Sequence, residues 1–200
     1  MRTGINLALI ALIGLLIWVL IGSIREPIKF KAEKEKRKTA VVDRLVQIRG
    51  LQDIYRDVTG GFAPSFDTLR QVLETGKVKK ISVFGDPDAK DAVDQIRYDT
   101  TYESAMVSVQ QLEKNLNTKV NFDSLSYVPY GKSAQFEIWA DTLTYQSTLV
   151  NVVEVSTTWN DFMGPFASNR YRKYDDSYDP SASLKFGDRN APNTSGNWER

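Results

Sequence analysis

The most prominent hydrophobic pattern is an unbroken apolar stretch over residues 5–24, which contains no charge and one side-chain amide, Asn6. Twenty helical residues reach about 30 Å, the thickness of the hydrocarbon core of a bilayer. A cleaved signal peptide is the competing interpretation, but its apolar region spans only about 7–15 residues and precedes a small-residue cleavage site. Here Arg-Glu-Pro follows directly. The pattern predicts a retained, single-pass transmembrane anchor over residues 1–27.

The charge distribution around this stretch bears on its orientation. Residues 25–38 contain seven basic residues and three Glu, whereas only Arg2 and the α-amine precede the apolar stretch. The positive-inside rule therefore places the large domain in the cytoplasm. A family resemblance described below places it on the other side.

A second periodic pattern predicts an amphipathic stalk helix over residues 28–60. Pro27 marks a kink or restart before it, and Gly60 with Gly61 ends it. Its first two turns are highly charged and should be solvated or lie near lipid headgroups. The apolar positions follow a 4-3-3-4-3 spacing, which forms one stripe of a helix: Val41, Leu45, Ile48, Leu51, Tyr55 and Val58. This stripe must be buried, either against the chain's own domain or against other copies.

A small α+β domain is predicted over residues 61–169. Ser65 caps a short helix that ends at Gly76, and residues 77–84 alternate as a strand before a turn at 85–88. The pattern over residues 89–117 is ambiguous, with a candidate strand at 106–109 and one or two helical turns at 109–116. The remaining predicted elements are strands at 124–130, 134–142 and 148–156 and a helical turn at 159–163.

The last segment, residues 170–200, loses periodicity. Pro, Ser, Asn and Gly dominate it, which is typical of a loop, although interspersed aromatic residues suggest that it folds back onto the domain. The predicted fold class is therefore α+β: an N-terminal transmembrane helix continues into a long amphipathic helix, packed on a small antiparallel sheet with an irregular C-terminal tail.

The amino-acid composition excludes several classes of catalytic and metal-binding site. The 200 residues include neither His nor Cys, and 26 basic residues face 25 acidic ones. This removes thiol nucleophiles, zinc–thiolate sites, Ser-His-Asp chemistry and the usual near-neutral proton shuttle. The net charge of +1 gives no global attraction to nucleic acid. We expect no enzyme, no catalytic or cofactor-binding residues, and no small-molecule substrate.

The organisation and several residues resemble type IV pilin-like proteins, in particular the major pseudopilins of type II secretion systems. The chain is also similar to uncharacterised single-pass membrane proteins of Bacteroidetes-type bacteria. The shared features are a proline after the apolar stretch, a Tyr near the end of the stalk, a Gly–aromatic–Pro turn, a Leu-bearing short helix and a Gly-Asn-Trp ending. Here these are Pro27, Tyr55, Gly61, Phe62, Pro64, Leu69 and residues 196–198.

The chain departs from the pilin pattern at its N-terminus. Pilins carry a leader cut after Gly and a Glu within the apolar helix that guides assembly. Here only Gly4 precedes the stretch and no Glu lies within it, although Asn6 could supply a polar contact within the membrane in place of the Glu.

The resemblance implies a subunit in a Gram-negative inner membrane with a periplasmic or otherwise extracytoplasmic domain. It implies packing against the bilayer and against copies of itself or sister subunits, through Asn6 and the stalk residues Val41, Leu45, Ile48, Leu51 and Tyr55. It also implies a calcium-holding loop near the C-terminus. The carboxylates that could form it are Asp175, Asp176, Asp179 and Asp188.

Three functional hypotheses remain at this point. The first is a structural subunit of a pilin-like filament or envelope secretion complex. The second is a membrane-tethered accessory or binding protein that contacts a partner without forming a filament. The third, a membrane-anchored hydrolase, lacks a nucleophile–base pair that the spacing can support.

Overall fold

A single helix, α1, runs from Arg2 to Thr59 in the computed structural model, which describes residues 2–84 and 97–199. It continues through Pro27, so the predicted restart there is wrong. Pro27 has no N–H for the Ser23 carbonyl, but the helical bonds on either side hold the chain in register. The helix ends as predicted, with Gly60 at φ +85° and its N–H donating to Arg56 at 2.7 Å. The apolar segment thus continues directly into the stalk.

The fold is α+β, as predicted. The described elements after α1 are α2 (Phe66–Thr75), β1 (Lys77–Phe84), β2 (Arg97–Ser104), α3 (Ala105–Leu116), α4 (Phe122–Leu125), β3 (Glu137–Tyr145), β4 (Thr148–Thr158), α5 (Trp159–Met163), the 3-10 turns Gly164–Phe166 and Asn169–Tyr174, and β5 (Ser183–Gly187). The predicted turn at 85–88 lies outside the described residues.

The main sheet is antiparallel with the strand order β3-β4-β5. Val155 on the central strand lies opposite Ile138 on one side and Phe186 on the other, and this face points into the core. The helices α2 and α3 also pack on α1, with Leu69 and Val109 buried in the same core. The stalk is therefore the central element of the core.

Two predictions in the middle of the chain are wrong. Residues 106–109 are not a strand but part of α3, which Ser104 caps and which buries one apolar helical face. Residues 124–130 are not a strand either, because Pro129 cannot donate to a ladder and Tyr130 takes a positive φ of 63°. Only one isolated bridge, between Tyr127 and Gln135, forms there.

The C-terminal segment is not wholly irregular, which corrects the prediction for residues 170–200. Strand β5 pairs with β4, and the following residues then return along the free edge of β5. Gly187 donates its N–H to Ser195 at 3.1 Å, and the Asn197 N–H donates to Lys185 at 3.0 Å. An ion pair of 2.7 Å between Arg49 and Glu199 fixes the end of the chain to α1. The Gly-Asn-Trp ending therefore covers a sheet edge.

The charged start of the stalk is also not fully solvated. Phe30 is completely buried, stacked on Tyr171 with ring centroids 4.9 Å apart and edge-on to Tyr178 at 5.0 Å. Nearby, Arg37 donates to the Phe162 carbonyl at 2.7 Å. The C-terminal aromatic residues thus enclose one side of α1 close to its apolar segment, which agrees with the expectation that they fold back.

Candidate assembly surfaces

The predicted stalk surface lies inside the domain. Of the assembly residues, Val41, Leu45, Ile48 and Leu51 have no exposed surface, and Tyr55 is buried as well. Of the two alternatives left open by the sequence, the stripe is therefore buried against the chain's own domain. The assignment of these five residues to a surface between copies is corrected, because an apolar side chain already removed from water gains nothing further by association.

The apolar segment of α1 is the largest exposed apolar surface in the described residues. From Leu9 to Ile24 its large side chains are all exposed, with Trp18 at 75 %. α1 is the one described helix that is long and apolar enough to cross a membrane, and that stretch contributes nothing to the core. A helix that is apolar on every side requires lipid or other helices around it. Asn6, the predicted polar contact, is exposed near the start of the segment.

A second exposed apolar surface lies on the two-stranded ribbon formed by β1 and β2. Lys79 pairs with Tyr102 and Ile81 with Thr100, and Tyr98 lies further along the same strand. Since opposite residues share a face, one side of the ribbon carries an apolar and aromatic patch. We call Lys79, Ile81, Tyr98 and Tyr102 the ribbon face. Its three large apolar side chains are 55–68 % exposed.

The ribbon also has unused backbone hydrogen-bonding capacity. The sheet contains only β1 and β2 among the described residues, so each strand has an unpaired edge. An isolated two-stranded ribbon is marginally stable, and unpaired edges are templates for association. Its base is held to the core by Val78 and by the Ala105 N–H, which donates to Gly76 at 3.0 Å. The ribbon is thus anchored at one end and exposed along its length.

Sequence reasoning identified β1 but missed its partner and therefore the ribbon face. The usable signal was the alternation of Tyr98, Thr100 and Tyr102, which has the period of two typical of a strand. This alternation covers only five residues, is flanked by polar residues and is followed directly by α3. It is therefore too short to distinguish a strand from a loop.

A cleft of about 500 Å³ lies between the other side of the ribbon, α1 and α3. Lys80 on β1 forms an ion pair with Glu103 on β2 at its rim. Asp53 of α1 also lines it, and burial raises the pKa of this carboxyl, partly offset by Arg56. The cleft is open and lined by both apolar and polar side chains, and could receive a side chain or loop of a partner.

Three of the four predicted calcium residues, Asp175, Asp179 and Asp188, are held by local contacts. Asp179 accepts from the Ser181 N–H at 2.9 Å, and Asp188 accepts from the Asn190 N–H at 2.8 Å, while Asp176 is exposed. Within residues 2–84 and 97–199, no three acidic side chains come together as a metal site. The fold therefore gives the calcium prediction no direct support, and it stays a prediction.

Asp175 has a clear structural role. It accepts from the Lys34 ammonium at 2.5 Å and from the Ser177 hydroxyl at 2.6 Å, which joins the C-terminal segment to α1. These two hydrogen bonds, with Lys34 contributing most, lower the pKa of Asp175 to about 2. Lys34 also lies 5.4 Å from the Trp159 ring centroid, in cation–π range.

The Asp175–Lys34 pair predicts an acid-sensitive link. Because the pKa of Asp175 is lower in the folded chain than in the unfolded one, its stabilisation is present above about pH 4 and is lost as the pH falls toward 2. We expect Asp175→Asn to reduce the free energy of unfolding at pH 7 by about 1 kcal/mol, a value discounted for partial exposure. The difference from wild type should shrink below pH 4 in thermal melts. Asp176→Asn, at an exposed neighbour, should change little, and parallel melting curves for Asp175→Asn would contradict the assignment.

Nothing matches this chain in comparisons with known protein families, curated proteins and solved structures. The resemblance to pilin-like proteins therefore rests on the residues named above.

Proposed function

We propose that the protein is a non-enzymatic, membrane-anchored structural subunit of a pilin- or pseudopilin-like assembly or envelope secretion complex. The observation that carries the proposal is the two-part construction of α1. Its first part is apolar and exposed on all sides, and its second part is the core of the domain. Such a helix is anchored by lipid or sister helices at one end and fixes the domain rigidly at the other.

The packing surfaces differ from those that the sequence suggested. With the stalk stripe buried, the anchoring segment and the ribbon face are the exposed apolar surfaces that we propose for packing. The ribbon offers aromatic side chains, lysines at its rim and two unpaired strand edges, which are the chemical groups that allow strand-to-strand packing between subunits. We place the domain outside the cytoplasm, following the family resemblance, with the anchor in a bacterial inner membrane.

A second function is favoured by a different observation. The cleft between the ribbon, α1 and α3 could hold a segment of an unrelated partner. In that case the protein is a membrane-tethered accessory or binding protein, and α1 is an anchor and spacer without any filament.

Cross-linking with a membrane-impermeant, amine-reactive reagent tests both location and assembly. Spheroplasts expressing the full chain should give a ladder of multimers without lysis. Ile81→Arg should reduce the ladder about tenfold, because a charge in a packed apolar surface costs more than about 1.4 kcal/mol. Arg adds no reactive amine, so the chemistry of labelling is unchanged.

Leu149→Arg is the matched control, since Leu149 is also an exposed apolar side chain, at 73 %, but lies beside the β3–β4 turn. It should leave the ladder intact. A monomeric wild type would refute assembly and favour the accessory function. A ladder that appears only after lysis would place the domain in the cytoplasm, and one unaffected by Ile81→Arg would exclude the ribbon face.

A further inference from the structure

A group of basic and aromatic side chains lies against one side of α1 where its apolar segment ends. Glu26 lies two residues after Ile24, about 3 Å further along the helix axis. Tyr174, from the distant 3-10 turn Asn169–Tyr174, donates its hydroxyl to Glu26 at 2.6 Å. This contact fixes the turn at the level of the helix where lipid headgroups begin, if the segment spans a bilayer.

The same turn brings further cations to that level. The Arg170 guanidinium lies 3.5 Å from Glu26 and the Lys173 ammonium 3.9 Å from it. Both side chains remain about 60 % exposed, so Glu26 leaves most of their surface available to another ligand.

We call this group of side chains the collar, and its net charge is strongly positive. Its members are five basic residues, one Tyr and one Glu, contributed by α1 and by the 169–174 turn: Arg25, Lys29, Arg170, Arg172, Lys173, Tyr174 and Glu26. All five basic side chains are exposed. After Tyr174 the chain leaves this level, because Asp175 pairs with Lys34, about 12 Å further along the helix. Asp175 is therefore neutralised away from the collar, whereas Arg172 lies within electrostatic range of the Asp179 carboxylate.

We propose that this collar is a binding surface for the headgroups of anionic phospholipids. It rests on the proposed membrane anchor. The argument is charge complementarity at a fixed depth: the cations gather beside the end of a lipid-facing helix, and Tyr174 has the amphipathic ring that favours the interface. Glu26 on α1 contacts residues of the turn that lie 144 or more positions later in the sequence. Binding of the collar to lipid headgroups would therefore orient the whole domain relative to the membrane surface.

The test uses the full chain in phosphatidylcholine bilayers with small amounts of spin-labelled phosphatidylglycerol or spin-labelled phosphatidylcholine. The motionally restricted component of the spectrum gives the relative association constant of the two lipids with the protein. We expect wild type to prefer phosphatidylglycerol about fivefold, the ratio that corresponds to one basic side chain at a charged surface. Raising the salt concentration should weaken this preference.

The variant Lys29→Gln with Arg172→Gln removes two exposed collar charges without touching Glu26 or its partners, and should bring the ratio close to one. The matched control, Lys114→Gln with Lys119→Gln, removes two exposed charges from the far side of the domain and should keep the preference. Equal association of both lipids with wild type, or a preference unchanged by the collar variant, would overturn the inference. A chain washed from the membrane by alkali would instead refute the anchor, and the inference with it.

Discussion

Gly187→Ala should destabilise the domain by about 3 kcal/mol or more. Gly187 ends β5 with φ +84°, a conformation that L side chains rarely adopt. A Cβ there would lie 1.9 Å from the Val153 carbonyl oxygen, which is backbone of the central strand and cannot move without breaking the sheet. The substitution combines the cost of a positive φ with a steric clash inside the core sheet. The midpoint of denaturant unfolding, measured on the full chain in mild detergent, gives the loss.

Gly60→Ala is a matched control, because the two glycines share the same backbone conformation but not the same surroundings. Gly60 has φ +85°, and a Cβ there would meet no heavy atom within 4 Å. The loss of stability in Gly60→Ala should therefore come from the positive φ alone, about 1–2 kcal/mol. If both variants lost the same stability, the close approach of β5 to β4 would not be a constraint on the fold.

Gly187 also illustrates which parts of the fold the sequence could predict. The stalk was predictable because its signal is local: Val41, Leu45 and Ile48 recur on one helical face, and each lies in the core. The short helix α2 was predictable for the same reason, since Ser65 caps it and its side chain accepts from Thr68 as expected. Periodicity and capping depend on neighbours three or four residues away, which the sequence shows directly.

Strand β5 was missed because its signal is short and its cause is distant. The alternation of Leu184, Lys185 and Phe186 is visible, but three residues do not separate a strand from a loop. Its stability comes from pairing with β4, some thirty residues earlier, and from the returning chain at Ser195. Composition dominated by Pro, Ser and Gly then favoured the wrong interpretation, because those residues make turns around the strand.

The candidate surfaces show the same limit in a different form. An apolar stripe in a sequence indicates burial but not what buries it, and Leu51 or Tyr55 would look identical at an interface and in a core. The structure resolves this because α2 and α3 already cover the stripe. Conversely, the structure identifies Ile81 and Tyr102 as surface residues because the fold leaves their apolar side chains exposed, which the sequence does not show.

Phe30→Ala should reduce the free energy of unfolding by about 3–5 kcal/mol, the usual cost of removing a fully buried Phe. Phe30 is the contact at which the 169–178 segment packs on α1: it stacks on Tyr171 and meets Tyr178 edge-on. Tyr178 is itself buried, which raises its pKa to about 12, and its hydroxyl donates to the Phe166 carbonyl at 2.9 Å. Loss of one ring therefore opens a cavity that several other aromatic side chains line.

The structural reason for this effect predicts a second, local readout. Without Phe30 the 169–174 turn loses its aromatic packing on α1, so trypsin should cut at Arg170, Arg172 or Lys173 faster than in wild type. Ile28→Ala is the control on the same helix, because Ile28 is 62 % exposed and its truncation should cost less than about 0.5 kcal/mol. Stability lost without faster cleavage would mean that Phe30 supports α1 alone. Faster cleavage with it would show that this aromatic contact, placed where the apolar segment ends, holds the 169–174 turn against α1.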